Sequence, residues 1–125
     1  MNEAEFKQRT KKLALMVIGV YGELPDRGAG RVIGNQLLRA GTSVGSNYRA
    51  ACCGKFVADM VSKLGTVEEE ADETMNWLEL LVEAEITPLD RVRDSYQEAK
   101  EILAMTVASR RTLKSRTRKK LKIGN

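Results

Sequence analysis

The stretch VADMVSKLGTVEEEADETMNWLELL, residues 57–81, decides the fold. Within it Val57, Met60, Leu64, Val67, Ala71, Thr74, Leu78 and Leu81 recur at alternating spacings of three and four. That rhythm collects them on one seam of a helix, the pattern of near-parallel bundle packing. Upstream, Phe6, Thr10, Leu13, Val17, Val20 and Leu24 repeat it; downstream, Val92, Tyr96, Ala99, Leu103 and Thr106 do so, followed by Arg110 and Leu113. Strand-like alternation is almost absent. Breaks fall at Pro25–Gly30, near Gly54 and at Thr87-Pro88, with Thr87 as N-cap, Pro88 in the first helical position and Asp90 in the first turn. Four helical segments with short connections predict an all-α fold, an antiparallel up-down-up-down four-helix bundle.

The second segment, Arg31 to Cys53, has two faces to bury. One carries Ile33, Leu37, Ala40, Val44, Asn47 and Ala51, and the other Gly34, Leu38, Gly41, Gly45 and Cys52. Each interior glycine costs a helix about 1 kcal/mol relative to alanine. Close approach of another backbone offsets that cost, whether from this bundle or from a second subunit. Arg39, Ser43 and Asn47 form a polar stripe beside the glycines, and Asn47 can fix register through one buried hydrogen bond. Gly34, Gly41, Gly45, Ser43, Asn47 and Trp77 are therefore candidates for helix packing or an oligomer contact.

Charge divides the chain. Its 125 residues carry +4, yet Arg110, Arg111, Lys114, Arg116, Arg118, Lys119, Lys120 and Lys122 follow one another without an acid. Residues 1–109 keep 13 basic against 17 acidic residues, a charge of −4. Residues 1–109 thus form an acidic bundle, and residues 110–125 a basic C-terminal extension. The seam continues to Leu113, and residues beyond Ser115 are expected to be mobile when unbound. Eight cations attract polyanions and release their counterions, so the extension points to RNA or DNA held through phosphates. Arg39 and Arg49 join it as candidate contacts, with Lys7, Arg9, Lys11 and Lys12 as weaker ones. No aromatic platform or base-reading helix accompanies them, so low sequence specificity is expected.

Composition excludes much else. Without histidine there is no Ser-His-Asp or Cys-His catalysis and no Glu-x-x-His di-iron site. Cys52 and Cys53 are adjacent, a spacing that strains a mutual disulfide, and they read as free thiols of a reducing cytosol. No metal, cofactor or catalytic residue is expected. The apolar run Leu13 to Tyr21 is too short for a membrane span, and the acids around it do not suit a signal peptide. Gly41-Thr42-Ser43-Val44-Gly45-Ser46-Asn47 lacks the Gly-Lys-Ser/Thr ending and preceding strand of a phosphate loop.

One motif supports a rival. Glu69-Glu70-Ala71-Asp72-Glu73 fits the Glu-Glu-x-x-Glu of all-α magnesium-dependent nucleotide pyrophosphatases, with Glu98-Ala99-Lys100-Glu101 an imperfect second half. An acidic run on a helix is more often a solvated face.

The stretch Leu37–Ala51, together with Ser62-Lys63-Leu64-Gly65, Glu70–Thr74 and Trp77–Leu81, resembles a family of bacterial four-helix-bundle proteins. That family is named for genes lying in intervening sequences of large-subunit ribosomal RNA. Leu13-Ala14-Leu15 and Leu24-Pro25 fit as well, so the resemblance covers roughly residues 6–107. The family is similar in fold to the accessory variability protein of diversity-generating retroelements, a homopentamer that binds nucleic acid and a reverse transcriptase. The resemblance implies a cytoplasmic, non-enzymatic homopentamer, with a reverse transcriptase as a candidate partner. The basic extension departs from the family pattern. The competing expectation is a protein–protein scaffold without a nucleic-acid role.

Overall fold

The computed structural model describes the backbone of residues 2–124 and the side chains of residues 2–118. It contains four helices and, among the described residues, no strand: α1 (Glu3–Gly22), α2 (Gly28–Cys52), α3 (Val57–Glu83) and α4 (Leu89–Gly124).

Local chemistry sets their ends. The Asn2 side chain accepts from the Glu5 amide at 2.9 Å and caps α1. Asp59 accepts from the Phe56 amide at 3.2 Å and steadies the first turn of α3. At the other end of α3, the Ile86 amide bonds the Leu81 carbonyl and the Glu85 amide bonds that of Val82, a Schellman closure. The left-handed position there is Glu85, at φ 59°, where glycine is usual. Pro88 precedes α4, whose bounds begin at Leu89, one residue later than the sequence predicted.

α1 packs on α2 and α4, α3 packs on the same two, and the diagonal pairs stay apart. Along α1 the predicted seam is the buried one: Phe6, Thr10, Leu13, Val17 and Val20 all face the core. On α3 it holds from Leu64 to Leu81, whereas Val57 is exposed and Met60 half-buried because the helix has only just entered the bundle.

On α4 the seam is displaced. Val92, Ala99 and Thr106 are buried as predicted, but Ser95 and Ile102 take the alternate places, and Tyr96 and Leu103 lie half-buried at the margin. Ser95 is admitted because its hydroxyl donates to the Val92 carbonyl at 2.9 Å. Glu98 is buried beside it, held by Arg9 of α1.

The glycines of α2 resolve the choice of partner: it is α1. A Cβ on Gly34 would lie 2.9 Å from a Leu24 methyl, on Gly41 2.7 Å from a Val17 methyl, and on Gly45 3.1 Å from the Thr10 hydroxyl. Residue numbers rise along α2 as they fall along α1. Phe6 and Tyr48 close the seam with stacked rings 4.1 Å apart.

α4 crosses residues 109 and 110 without a break and continues to Gly124, so the stretch expected to be mobile is helical. Lysine and arginine are good helix formers, and cations suit the negative end of the helix dipole. The Thr112 and Thr117 hydroxyls bond the carbonyls of Ala108 and Leu113, so neither hydroxyl competes with the helix from outside.

Candidate nucleic-acid interface

Among the described residues, the cations of the extension divide into one anchored side chain and four free ones. Arg110 sits on the α4 face toward α3. Its Nε donates to the Val61 carbonyl at 3.0 Å, a terminal nitrogen lies 3.6 Å from Glu68, and its guanidinium lies across Gly65. Arg110 thus fastens α4 to α3, which its place in the basic run did not reveal. Arg111, Lys114, Arg116 and Arg118 are exposed, and the described residues give them no ion pair. No acid follows Glu101 in the chain, so α4 offers nothing to neutralise them. Arg111, Lys114 and Arg118 share one flank of the helix and Arg116 lies on another, as spacings of three, four and seven require. The side chains of Lys119, Lys120 and Lys122 lie outside the described residues.

Length carries the end of α4, with Arg118, past the rest of the bundle. α4 has 36 residues against 20 in α1, about 54 Å against about 30 Å at the helical rise. Where α3 begins, Met60 and Leu64 meet Ala108, Thr112, Leu113 and Arg116 across a cleft of about 500 Å³. Residues after Arg116 run beyond that level.

A second cationic surface lies at the same end. Lys7 and Lys11 of α1 and Arg49 of α2 flank a groove of about 300 Å³, with Gln8 and the hydroxyls of Thr42 and Ser46 along it and no acid in its walls. Gly45 and Ala14 keep the floor low. Arg49 was a sequence candidate, but the hydroxyls were not. Their signal was the helical spacing of Thr42, Ser46 and Arg49 opposite Lys7 and Lys11, which becomes visible only once α1 and α2 are known to touch. Lys7 also lies 3.8 Å from Glu3, an exposed pair that water screens.

Other candidates are committed elsewhere. Arg39 binds Glu70 at 3.2 Å and also Glu73 across the α2–α3 contact, and its Nε donates to the Gln36 side-chain carbonyl oxygen at 3.0 Å. Arg9 bonds Glu98 and, at 3.0 Å, Glu101 across the α1–α4 contact. The hydrogen bond to Glu98 is the main cause that raises the Arg9 pKa further above its ordinary value. Glu101 is lowered, first by the hydrogen bond from Gln97 and then by Arg9. The two acidic sets of the pyrophosphatase motif are thus each bound to an arginine, on opposite sides of the bundle. Among the described residues no cluster of acids and cysteines has metal-binding geometry.

Ser43 and Asn47 spend their polar groups inside α2. The Ser43 hydroxyl donates to the Arg39 carbonyl at 2.7 Å, and the Asn47 amide to the Ser43 carbonyl at 2.9 Å. Trp77 is half-buried against the core, its indole donating to Glu73 at 3.2 Å. Cys52 and Cys53 are free; burial, and then a hydrogen bond with Glu3, push the Cys52 thiol up. No helix among the described residues is long and apolar enough to cross a membrane.

Comparison with known proteins adds two findings. The profile of the family described as 23S rRNA-intervening sequence protein matches residues 2–108. A crystal structure of a protein of unknown function from the S23 ribosomal protein family of Bacteroides thetaiotaomicron superposes with a TM-score of 0.75. It is 28% identical over 82% of this chain and 95% of its own. No curated protein matches the sequence. The family match stops at residue 108, just before the cationic stretch.

Proposed function

The chain belongs to the 23S rRNA-intervening sequence protein family, and from its charge layout we propose that it is a non-enzymatic binding protein that grips RNA or DNA by the phosphate backbone. Arg111, Lys114, Arg116 and Arg118 on α4 make the principal contact, and the Lys7–Lys11–Arg49 groove a second. The observation that carries this reading is the exposed, unpaired cation set on a helix that outruns its bundle. The acid-free walls of the groove support it, as does the position of both surfaces at one end of the molecule, where Glu3 is the one acid that lines the α4 cleft. We further propose an antiparallel up-down-up-down bundle in the cytoplasm, assembled as a homopentamer. The opposed numbering along α1 and α2 supports the antiparallel course, and the sequence resemblance supports five copies. In a ring, several α4 ends act on one polyanion, and avidity replaces base reading. A reverse transcriptase is the protein partner the resemblance implies.

Salt-dependent binding tests the proposal. Full-length protein is titrated against labelled duplex DNA and single-stranded RNA beside a variant carrying Arg111→Gln, Lys114→Gln, Arg116→Gln and Arg118→Gln. Loss of four phosphate contacts per engaged chain should lower the slope of log K against log salt by about 3–4. Equal affinity and equal slope in the variant would remove α4 from the interface.

A further inference from the structure

One face of α1 is apolar, exposed and unused within the chain. Leu15 is 63% and Ile18 48% exposed. They share that face with Lys11, one turn earlier. A Cβ on Gly19 or Gly22 would meet nothing within 4 Å, so the surface beside these two side chains is open to a neighbour.

Elsewhere the bundle holds a matching depression. Between the end of α3 and the start of α4 lies a groove of about 210 Å³ with an apolar wall that includes Val82, Leu89 and Tyr96. Leu89, a large aliphatic side chain, is itself 54% exposed there. The charged groups on its rim are Glu79, Glu83 and Arg93, a net negative edge. The α1 face brings lysine ahead of its two aliphatic side chains, and the groove brings carboxylates beside its apolar floor. Charge and polarity are therefore complementary.

We propose that the Leu15–Ile18 face of one copy docks in the Val82–Leu89–Tyr96 groove of a second copy of this chain. The inference deepens the homo-oligomer reading given above and rests on it. The two surfaces lie on different helices, and in this proposal the contact is heterologous: each copy uses its α1 face toward one neighbour and its groove toward the other. Such contacts close into rings or run into filaments, according to the rotation they impose. A two-fold dimer would instead exchange both contacts between the same two copies.

Mixing two defective copies tests the arrangement. Leu15→Glu with Ile18→Glu spoils only the face, and Leu89→Glu spoils only the groove. Light scattering on a sizing column should report an oligomer of the 13.9 kDa chain for the wild type and monomers for each variant. Association should weaken by about 100-fold or more, the effect of keeping one or two aliphatic side chains in water. Equimolar mixing should restore a one-to-one dimer, since one intact face and one intact groove remain. A face variant that keeps the wild-type mass, or a mixture that stays monomeric, would overturn the interface while leaving oligomerisation standing. A wild-type monomer at every concentration would overturn both. Independently of variant folding, a benzophenone side chain at position 15 should crosslink to the segment 78–96 of another copy, and capture of any other segment would overturn the proposal.

Discussion

Glycine occurs mid-helix in both α1 and α2, with opposite meaning. On α2, Gly34, Gly41 and Gly45 lie against α1, and the missing side chains are what let the two helices close. On α1, Gly19 faces open space. Both carry the same penalty in helix propensity, about 1 kcal/mol each. Only the first set recovers it inside the chain, through contacts of Val17, Leu24 and Thr10 with a bare helix surface. A mid-helix glycine therefore reports a close neighbour in one place and an uncovered surface in the other.

The largest test of that contrast is Gly41→Ala. The new Cβ would meet both Val17 methyls and approach the Val17 Cβ to 3.0 Å, so a rotamer change alone does not relieve it. Overpacking of this kind costs about 1–3 kcal/mol and exceeds the propensity gain, for a net loss of about 1–2 kcal/mol in denaturant unfolding. Val17→Ala in the same chain should return part of that loss, as a favourable coupling in a double-mutant cycle. Additive effects would mean that the α1–α2 contact is looser than described. Next comes Gly19→Ala, which should raise the unfolding free energy of the isolated chain by about 1 kcal/mol. A loss there would show that the α1 face is already packed. The smallest effect is expected at Gly65→Ala. Its Cβ would approach the Arg110 guanidinium to 3.1 Å. Moving that flexible arm off Val61 and Glu68 offsets most of the helix-propensity gain of about 1 kcal/mol, so stability should move by no more than about 0.5 kcal/mol.

The same contrast explains how much of the molecule was legible in sequence. The α1 seam from Phe6 to Val20 could be read because apolar side chains occupied every buried position but that of Thr10. The α4 seam slipped because its buried places include Ser95 and Glu98, which pattern reading assigns to the surface. Glu98 can be buried because Arg9 neutralises it from another helix, and no local pattern contains that partner. Of the candidate interface, the positions of charge were legible and their pairing was not. Arg39 and Arg110 read as cations awaiting phosphate, yet each already has carboxylate company, at Glu70 and Glu73 or at Glu68. The Lys7–Lys11–Arg49 groove depends on which helices touch, and the glycines of α2 offered two answers to that question until α1 was seen to fill them.

The unbroken course of α4 changes the thermodynamics of meeting a polyanion. A flexible tail surrenders roughly 1–2 kcal/mol of backbone entropy for each residue it orders. From Arg111 to Arg118 the chain is already helical, so that loss has been met in folding rather than at the encounter. The cations arrive at fixed spacing, and the Coulombic gain is not drained by ordering the chain that bears them.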